Sequence, residues 1–247
     1  MPHATIRGYQ MYYEDHGQGE PLVFLHGGMA TSADFAALIP TFAERYRVLA
    51  NDRWGYGRSS RRDGFAQGYL WQDTADTAAW LDGLNVGRVH VVGHSDGGSA
   101  GLLLAVTRPD LVRSLVAVAA HTHSEPRTIA GLQHLQRLVR TSPGYRAALE
   151  RHLGPGGAAM AEVWYAHWLD PTRITLDIRA EVSRVRCPTL VIQGEGDEFA
   201  TPAHAEGIAN AIPGAELWLI PNCRHTPHHE CRQAFSERVL AFLARAQ

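Results

Sequence analysis

Cysteine is scarce in this 247-residue chain: Cys187, Cys223 and Cys231 are an odd number and form no C-x-x-C pair. That argues against a disulfide framework and against a thiolate zinc site, and makes reduced thiols the default. Charge of one sign is also lacking, with 23 Lys and Arg against 25 Asp and Glu and a formal net charge of −2. No electrostatic footprint for nucleic acid results. The one basic stretch, Arg58-Ser59-Ser60-Arg61-Arg62, is interrupted and followed by Asp63, and reads as a solvated loop. No apolar run is long enough to span a bilayer, and Met1 to Arg7 lacks the apolar segment of a secretory signal. A cytoplasmic protein without a membrane or nucleic-acid partner is the expectation. Internal repeats and low-complexity tracts are absent as well.

What is present is enough apolar material for a large core, 45% hydrophobic against 19% charged residues, in the length range of one α/β domain carrying an insertion. Short β-rich runs alternate with longer helix-compatible runs, the pattern of a mostly parallel sheet with helices on both faces. Strands are predicted at Tyr9–Glu14, Leu22–Leu25, Arg47–Ala50, Val89–Val92, Leu115–Ala119, Thr189–Ile192 and Leu217–Ile220. Helices are predicted at Ala33–Arg45, Trp71–Leu84, Ser95–Thr107, Pro202–Ala211 and Ala234–Ala244, Pro202 suiting a first turn. From Ser124 to Val185 the alternation breaks into helical tracts without a convincing strand. Residues 1–123 and 186–247 are therefore expected to form the core, and 124–185 a small helical cap. Within it a Gly154-Pro155-Gly156-Gly157 turn precedes Trp164, Tyr165, His167 and Trp168. Trp164 and Trp168 are candidates to line a substrate pocket; packing the cap onto the core is the plainer role for any one of these rings.

Gly93-His94-Ser95-Asp96-Gly97 lies between the run Val89–Val92 and a helix-compatible run, a G-x-S-x-G nucleophile elbow in its strand–turn–helix context. A sharp turn there strains the Ser95 backbone and leaves its hydroxyl exposed beside a helix N-terminus, where oxyanion charge can be met. A serine hydroxyl needs a base. His225 follows the strand Leu217–Ile220 through a short loop at the carboxyl edge of the sheet; His121 is its nearest competitor. The base needs a carboxylate to orient it. Asp197, in Gly194-Glu195-Gly196-Asp197 beyond the strand Leu190–Ile192, is preferred to Glu195 and Glu198, and the order Ser, Asp, His agrees with an α/β-hydrolase arrangement. Of the fourteen histidines, His121 and His123 could converge with His225, His228 and His229 on a metal, but no thiol or carboxylate spacing accompanies them. No metal and no cofactor is assigned.

These segments together resemble the α/β-hydrolase fold superfamily over nearly the whole chain. Leu25-His26-Gly27-Gly28 is similar to its HG oxyanion loop, Asp52-Arg53-Trp54-Gly55-Tyr56-Gly57-Arg58-Ser59 to its D-x-x-G-x-G-x-S segment, and Gly194-Glu195-Gly196-Asp197 to its acid loop. The small cap, the G-x-S-D-G-G elbow and the stretch Pro221–Glu230 resemble the biphenyl hydrolase-like branch. The resemblance implies an eight-stranded, mostly parallel sheet, Ser95 as nucleophile, His225 as base, Asp197 as orienting acid, and the backbone N–H groups of Gly28 and Asp96 as oxyanion hole. The Met29 amide competes with that of Gly28, and the Met29 side chain is a candidate for the acyl-pocket wall. Arg224 departs from the glycine common before the family's histidine, and Glu230 matches its usual glutamate, expected to anchor the loop.

The function expected is a serine hydrolase acting on a small acyl substrate: an ester, lactone, thioester or activated amide. An aspartate nucleophile is excluded by Ser95, the fuller H-G-x-G-P-G loop of carbon–carbon bond hydrolases is lacking, and Met29 and Asp96 stand where proline iminopeptidases differ. A non-hydrolytic ligand receptor on the same fold, or a lyase or perhydrolase using the same residues, are the alternatives. The oligomeric state is left open. Asp96 poses a problem of its own, because a carboxylate next to a developing oxyanion must aim away, be paired, or meet a cationic substrate group.

Overall fold

The computed structural model describes residues 2–172 and 176–246. Eight strands, β1 (His3–Ile6), β2 (Tyr9–His16), β3 (Glu20–Leu25), β4 (Tyr46–Asn51), β5 (Val89–His94), β6 (Val112–Val118), β7 (Thr189–Gly194) and β8 (Glu216–Ile220), form one sheet in the order β1-β2-β4-β3-β5-β6-β7-β8. The β1–β2 and β2–β4 pairs are antiparallel and all others parallel. Side chains alternate between the two faces. On β3, Leu22 and Phe24 enter one core, while Val23 and Leu25 enter the other. Both sets are buried, which is why the central strands read as nearly continuous apolar runs.

The helices are α1 (Ile39–Ala43), α2 (Tyr69–Leu84), α3 (Asp96–Thr107), α4 (Pro126–Thr141), α5 (Pro143–Leu153), α6 (Gly157–Trp168), α7 (Arg179–Val182), α8 (Pro202–Ala211), α9 (Pro227–Glu230) and α10 (Arg232–Arg245). One face of the sheet is closed by α1 and α10 through Phe42, Phe235, Val239 and Phe242. The other is closed by α2, α3 and α8, through Leu81, Leu103 and Ile208 among others. Between β6 and β7 the chain leaves the sheet for α4, α5 and α6, which pack on one another and whose Leu132, Leu149 and Trp164 continue that second core. The short α7 packs instead on α3 and α8.

Two expectations are corrected. The single helix expected over Ala33–Arg45 is a 3-10 turn, Ser32–Phe35, followed by α1. Pro40 lacks the N–H that a continuous ladder needs there, so the helix restarts with the proline in its first turn. The edge strand β1 was not expected. Four residues carry too little pattern, and the hairpin depends on Arg7 (φ 44) and Gly8 (φ 94), both in the left-handed region that a two-residue turn of this twist demands. Among the described residues no helix is long and apolar enough to cross a membrane.

Candidate active site

Ser95 sits between β5 and α3 with φ 52 and ψ −120, a backbone conformation that costs energy for a residue with a side chain. Glycines permit the turn: a Cβ on Gly93 would run into the Gly97 backbone, and one on Gly97 into the Leu25 carbonyl. The Ser95 N–H donates to the Val118 carbonyl at 2.8 Å, which ties the turn to β6. The first-turn N–H groups of α3, which have no intrahelical acceptor, then lie beside the hydroxyl.

Asp197 follows β7 and is wholly buried. Its Oδ2 accepts from His225 Nδ1 at 2.7 Å and from Gln193 Nε2, and its Oδ1 from the Phe199 and Ala200 N–H groups at 2.7 and 3.3 Å. Burial pushes its pKa up, but the His225 ring and these N–H donors prevail and hold the carboxyl below its ordinary range. A buried acid already accepting this many bonds stays ionised and fixes the His225 ring with Nδ1 carrying its proton. The His225 carbonyl accepts from His94 Nε2 at 2.9 Å. Glu230 takes the Arg224 and Thr226 N–H groups at 2.9 and 3.0 Å, one on either side of His225. Arg224 itself turns outward to Glu198 at 2.7 Å, so its departure from glycine leaves the loop path intact. Gly194 is where that loop needs room, since a Cβ there would strike the Cys223 and Arg224 carbonyls.

Ser95 and His225 line one cavity of about 350 Å³, together with Gly28, Met29, Asp96, Trp164 and Trp168. Among the described residues the Ser95 hydroxyl makes no hydrogen bond to the His225 ring. The competitor His121 also lines the cavity, but its backbone N–H and carbonyl are tied to Ser99 Oγ and its ring centroid is 5.9 Å from that of His225. Burial pushes its pKa down to about 3, so it is a neutral wall residue without the carboxylate that His225 has.

Trp164 and Trp168 both line the cavity and pack inward. Each indole N–H donates to the Tyr69 hydroxyl at 3.0 Å, and Tyr69 donates in turn to Asp96 Oδ2 at 2.6 Å. Asp96 is therefore paired, with the Arg53 guanidinium 3.9 Å away as well. Burial still raises its pKa against the pull of Arg53 and Tyr69. Tyr69 had no local signal, since its three partners lie 27, 95 and 99 residues away. Gly28 abuts Trp164, whose ring a Cβ on Gly28 would overlap, and Met29 (φ 54) turns the chain beside it.

Among the described residues the histidines do not gather into one metal group. Two separate clusters appear: His228 and His229 with Asp34 from far along the chain, and His123 and Glu125, two residues apart, with His204. In the first, each imidazole Nε2 bonds one Asp34 oxygen, at 3.0 and 2.8 Å. In the second, His204 Nε2 accepts the Thr122 N–H at 3.0 Å and the His123 ring stacks on it at 4.5 Å.

A serine at a strained elbow and an imidazole oriented by a buried carboxylate thus meet on one cavity. The sequence profile described as the alpha/beta hydrolase family matches residues 22–238. The chain belongs to this family. As an alpha/beta hydrolase it is similar to the mouse (Mus musculus) protein named serine hydrolase BPHL, 27% identical over 97% of this chain and 85% of that protein. It is also similar to a putative carbamate hydrolase, RutD, from Stutzerimonas stutzeri, 30% identical over 95% of this chain and 97% of the relative. Among solved structures, Est816, described as an N-acyl homoserine lactone degrading enzyme, is 28% identical with a TM-score of 0.81, covering 98% of this chain and 100% of that one. The alpha/beta hydrolase family is one fold with several cleavable bonds, and these relatives carry serine hydrolase, carbamate hydrolase and lactone-degrading names.

Proposed function

We propose that this hydrolase cleaves a small ester, lactone, thioester or activated amide through an acyl-enzyme. In this reading Ser95 attacks, His225 takes the Ser95 proton and returns it to the leaving group, and Asp197 orients His225 and stabilises the imidazolium. The Gly28 and Asp96 N–H groups receive the oxyanion, and the α4–α6 excursion within 124–185 is the cap. The observation that carries it is that His225, bonded to Asp197 at 2.7 Å, lines the same cavity as Ser95 at its elbow. Met29, Trp164 and Trp168 supply apolar walls, suited to an uncharged acyl or alkyl group. Slow or absent turnover by a receptor, or addition–elimination by a lyase, would leave a different kinetic mark.

A fluorophosphonate probe followed by peptide mass mapping tests the reading. One equivalent bound at Ser95, and a burst of product from an activated ester, are the expected results. Labelling elsewhere, or none, removes it.

Asp96 carries a separate prediction as a reader of cationic substrate groups. Its raised pKa and its position on the cavity mean that an ammonium placed there would stabilise the ionised form. A charge-assisted contact of ~1.5–3 kcal/mol gives an amino-bearing ester a roughly ten- to hundred-fold advantage over its neutral isostere. Asp96→Asn keeps an acceptor for Tyr69 and should bring the two substrates level, a ratio from which any loss common to both cancels. Equal rates in the wild type would leave Asp96 as the acceptor of Tyr69 and nothing more.

A further inference from the structure

We infer that Arg53 is a positioning residue for the oxyanion site: its buried guanidinium fixes the Gly27–Gly28 peptide so that the Gly28 N–H faces the cavity, and it also stands behind Asp96. The inference rests on the reading of Gly28 and Asp96 as the oxyanion donors.

Arg53 follows β4 and is 1% exposed. Its Nη2 donates to the Gly27 carbonyl at 2.9 Å and lies 3.9 Å from Asp96 Oδ2, while its Nη1 donates to Asp73 Oδ2 at 3.0 Å. Its backbone N–H donates to His26 Nε2 at 3.0 Å. An amide N–H can only donate, so His26 Nε2 is the acceptor and the neutral ring carries its proton on Nδ1. That Nδ1–H is directed at the Gly27 carbonyl, 2.8 Å away. Protonating Nε2 would set two donors against each other, in keeping with a His26 pKa that burial holds well below its usual value.

The Gly27 carbonyl therefore accepts two bonds, one of them from a buried cation. In a trans peptide the carbonyl and the following N–H point in opposite directions, and no cis peptide occurs among the described residues. A carbonyl pinned toward Arg53 commits the Gly28 N–H to the other side, and Gly28 lines the cavity. Two donors on the carbonyl also polarise the amide and strengthen its N–H as a donor. This selects Gly28 over the neighbouring Met29 amide, a choice the sequence left open. The cation's own field favours negative charge on the cavity side, where little water screens it. Arg62, whose Nη1 donates to the other Asp73 oxygen at 3.0 Å, completes a balanced group of two arginines with Asp73 and Asp96.

Removing Arg53 alone would leave Asp73 and Asp96 with Arg62 as the remaining arginine of the group, so the test pairs Arg53→Met with Asp73→Asn, which removes one charge of each sign. Loss of a well-aimed oxyanion donor is expected to lower kcat by on the order of 10²–10³-fold with KM nearly unchanged. Affinity for a trifluoromethyl ketone, which forms a tetrahedral oxyanion on Ser95, should fall by the same factor as kcat/KM, while that for a non-reactive ether isostere of the substrate should hold. Arg53→Lys retains the charge but not the planar fork; it should fold, and should lose an intermediate factor. It carries the test alone if the double variant does not fold. Wild-type kcat and ketone affinity in a folded variant would overturn the inference. So would a loss in which KM rises while ether affinity and thermal midpoint fall, the mark of a merely structural arginine. Failure of the underlying reading looks different: the wild-type protein itself would not be labelled at Ser95 by the fluorophosphonate.

Discussion

Ser95→Ala is expected to lower kcat by on the order of 10⁴-fold or more, leaving only what the oxyanion site and substrate binding supply, with the fold intact. The hydroxyl is absent from every hydrogen bond that holds the turn, whose anchor is the Ser95 backbone N–H on Val118. Alanine at φ 52 meets the same strain that serine already bears. Thermal melting and far-UV circular dichroism of the variant should match the wild type. A folded Ser95→Ala protein with wild-type esterase rates would end the assignment of the nucleophile. His225→Ala should be nearly as damaging and His121→Ala much less so, because the Asp197 bond belongs to His225. The reverse order would move the base to the loop after β6.

The second large effect is on stability in acid. Burial holds His26 and His94 well below the ordinary histidine value, and His121 at about 3. Each is neutral when folded, while in the unfolded chain each takes up a proton as the pH falls below about 6.5. The unfolded state then binds more protons, so stability is present in full above pH 6.5 and declines as the pH drops toward the folded values, by about 1.4 kcal/mol per pH unit for each group once its unfolded form is charged. Three such groups act in the same sense, and even one pH unit of that slope from one of them counts against a total stability of about 5–15 kcal/mol. Asp73 and Asp96, raised by burial, act in the opposite sense and soften the lower end of this range. Urea unfolding at pH 7, 6, 5 and 4 should show the midpoint falling as the pH drops. A midpoint flat from pH 7 to 4 would mean that these rings are hydrated or already charged in the folded protein.

The candidate site was legible where one stretch of chain carries both the candidate nucleophile and the turn that presents it. Gly93 and Gly97 announce the elbow because no larger residue fits between β5 and α3. Asp197 and His225 each follow a strand of the parallel sheet, and all such loops emerge at the same edge. Pro202 marked α8 at its first residue, and the family segment around Asp52 matched residue by residue. Local periodicity placed the long elements for the same reason: their pattern repeats within a window of a dozen residues.

What only the tertiary structure decided are the partners drawn from far along the chain. Nothing near Asp96 reveals that Tyr69 and Arg53 already engage its carboxylate, or that Tyr69 also holds Trp164 and Trp168 against the cavity. The clusters around His228 and His204 needed Asp34 and Glu125 from other loops before any of them resembled a ligand group. The Gly28 N–H is directed by hydrogen bonds to the Gly27 carbonyl from His26 and Arg53, one a near neighbour and the other 26 residues on. The sequence by itself determined that Ser95, Asp197 and His225 stand at one edge of the sheet, because strand, turn and helix preferences act locally. How the Gly27–Gly28 peptide is held, which groups engage the Asp96 carboxylate and which indoles line the cavity depended on side chains meeting across the fold, and hydrogen bonds and charges act through space without regard to separation along the chain.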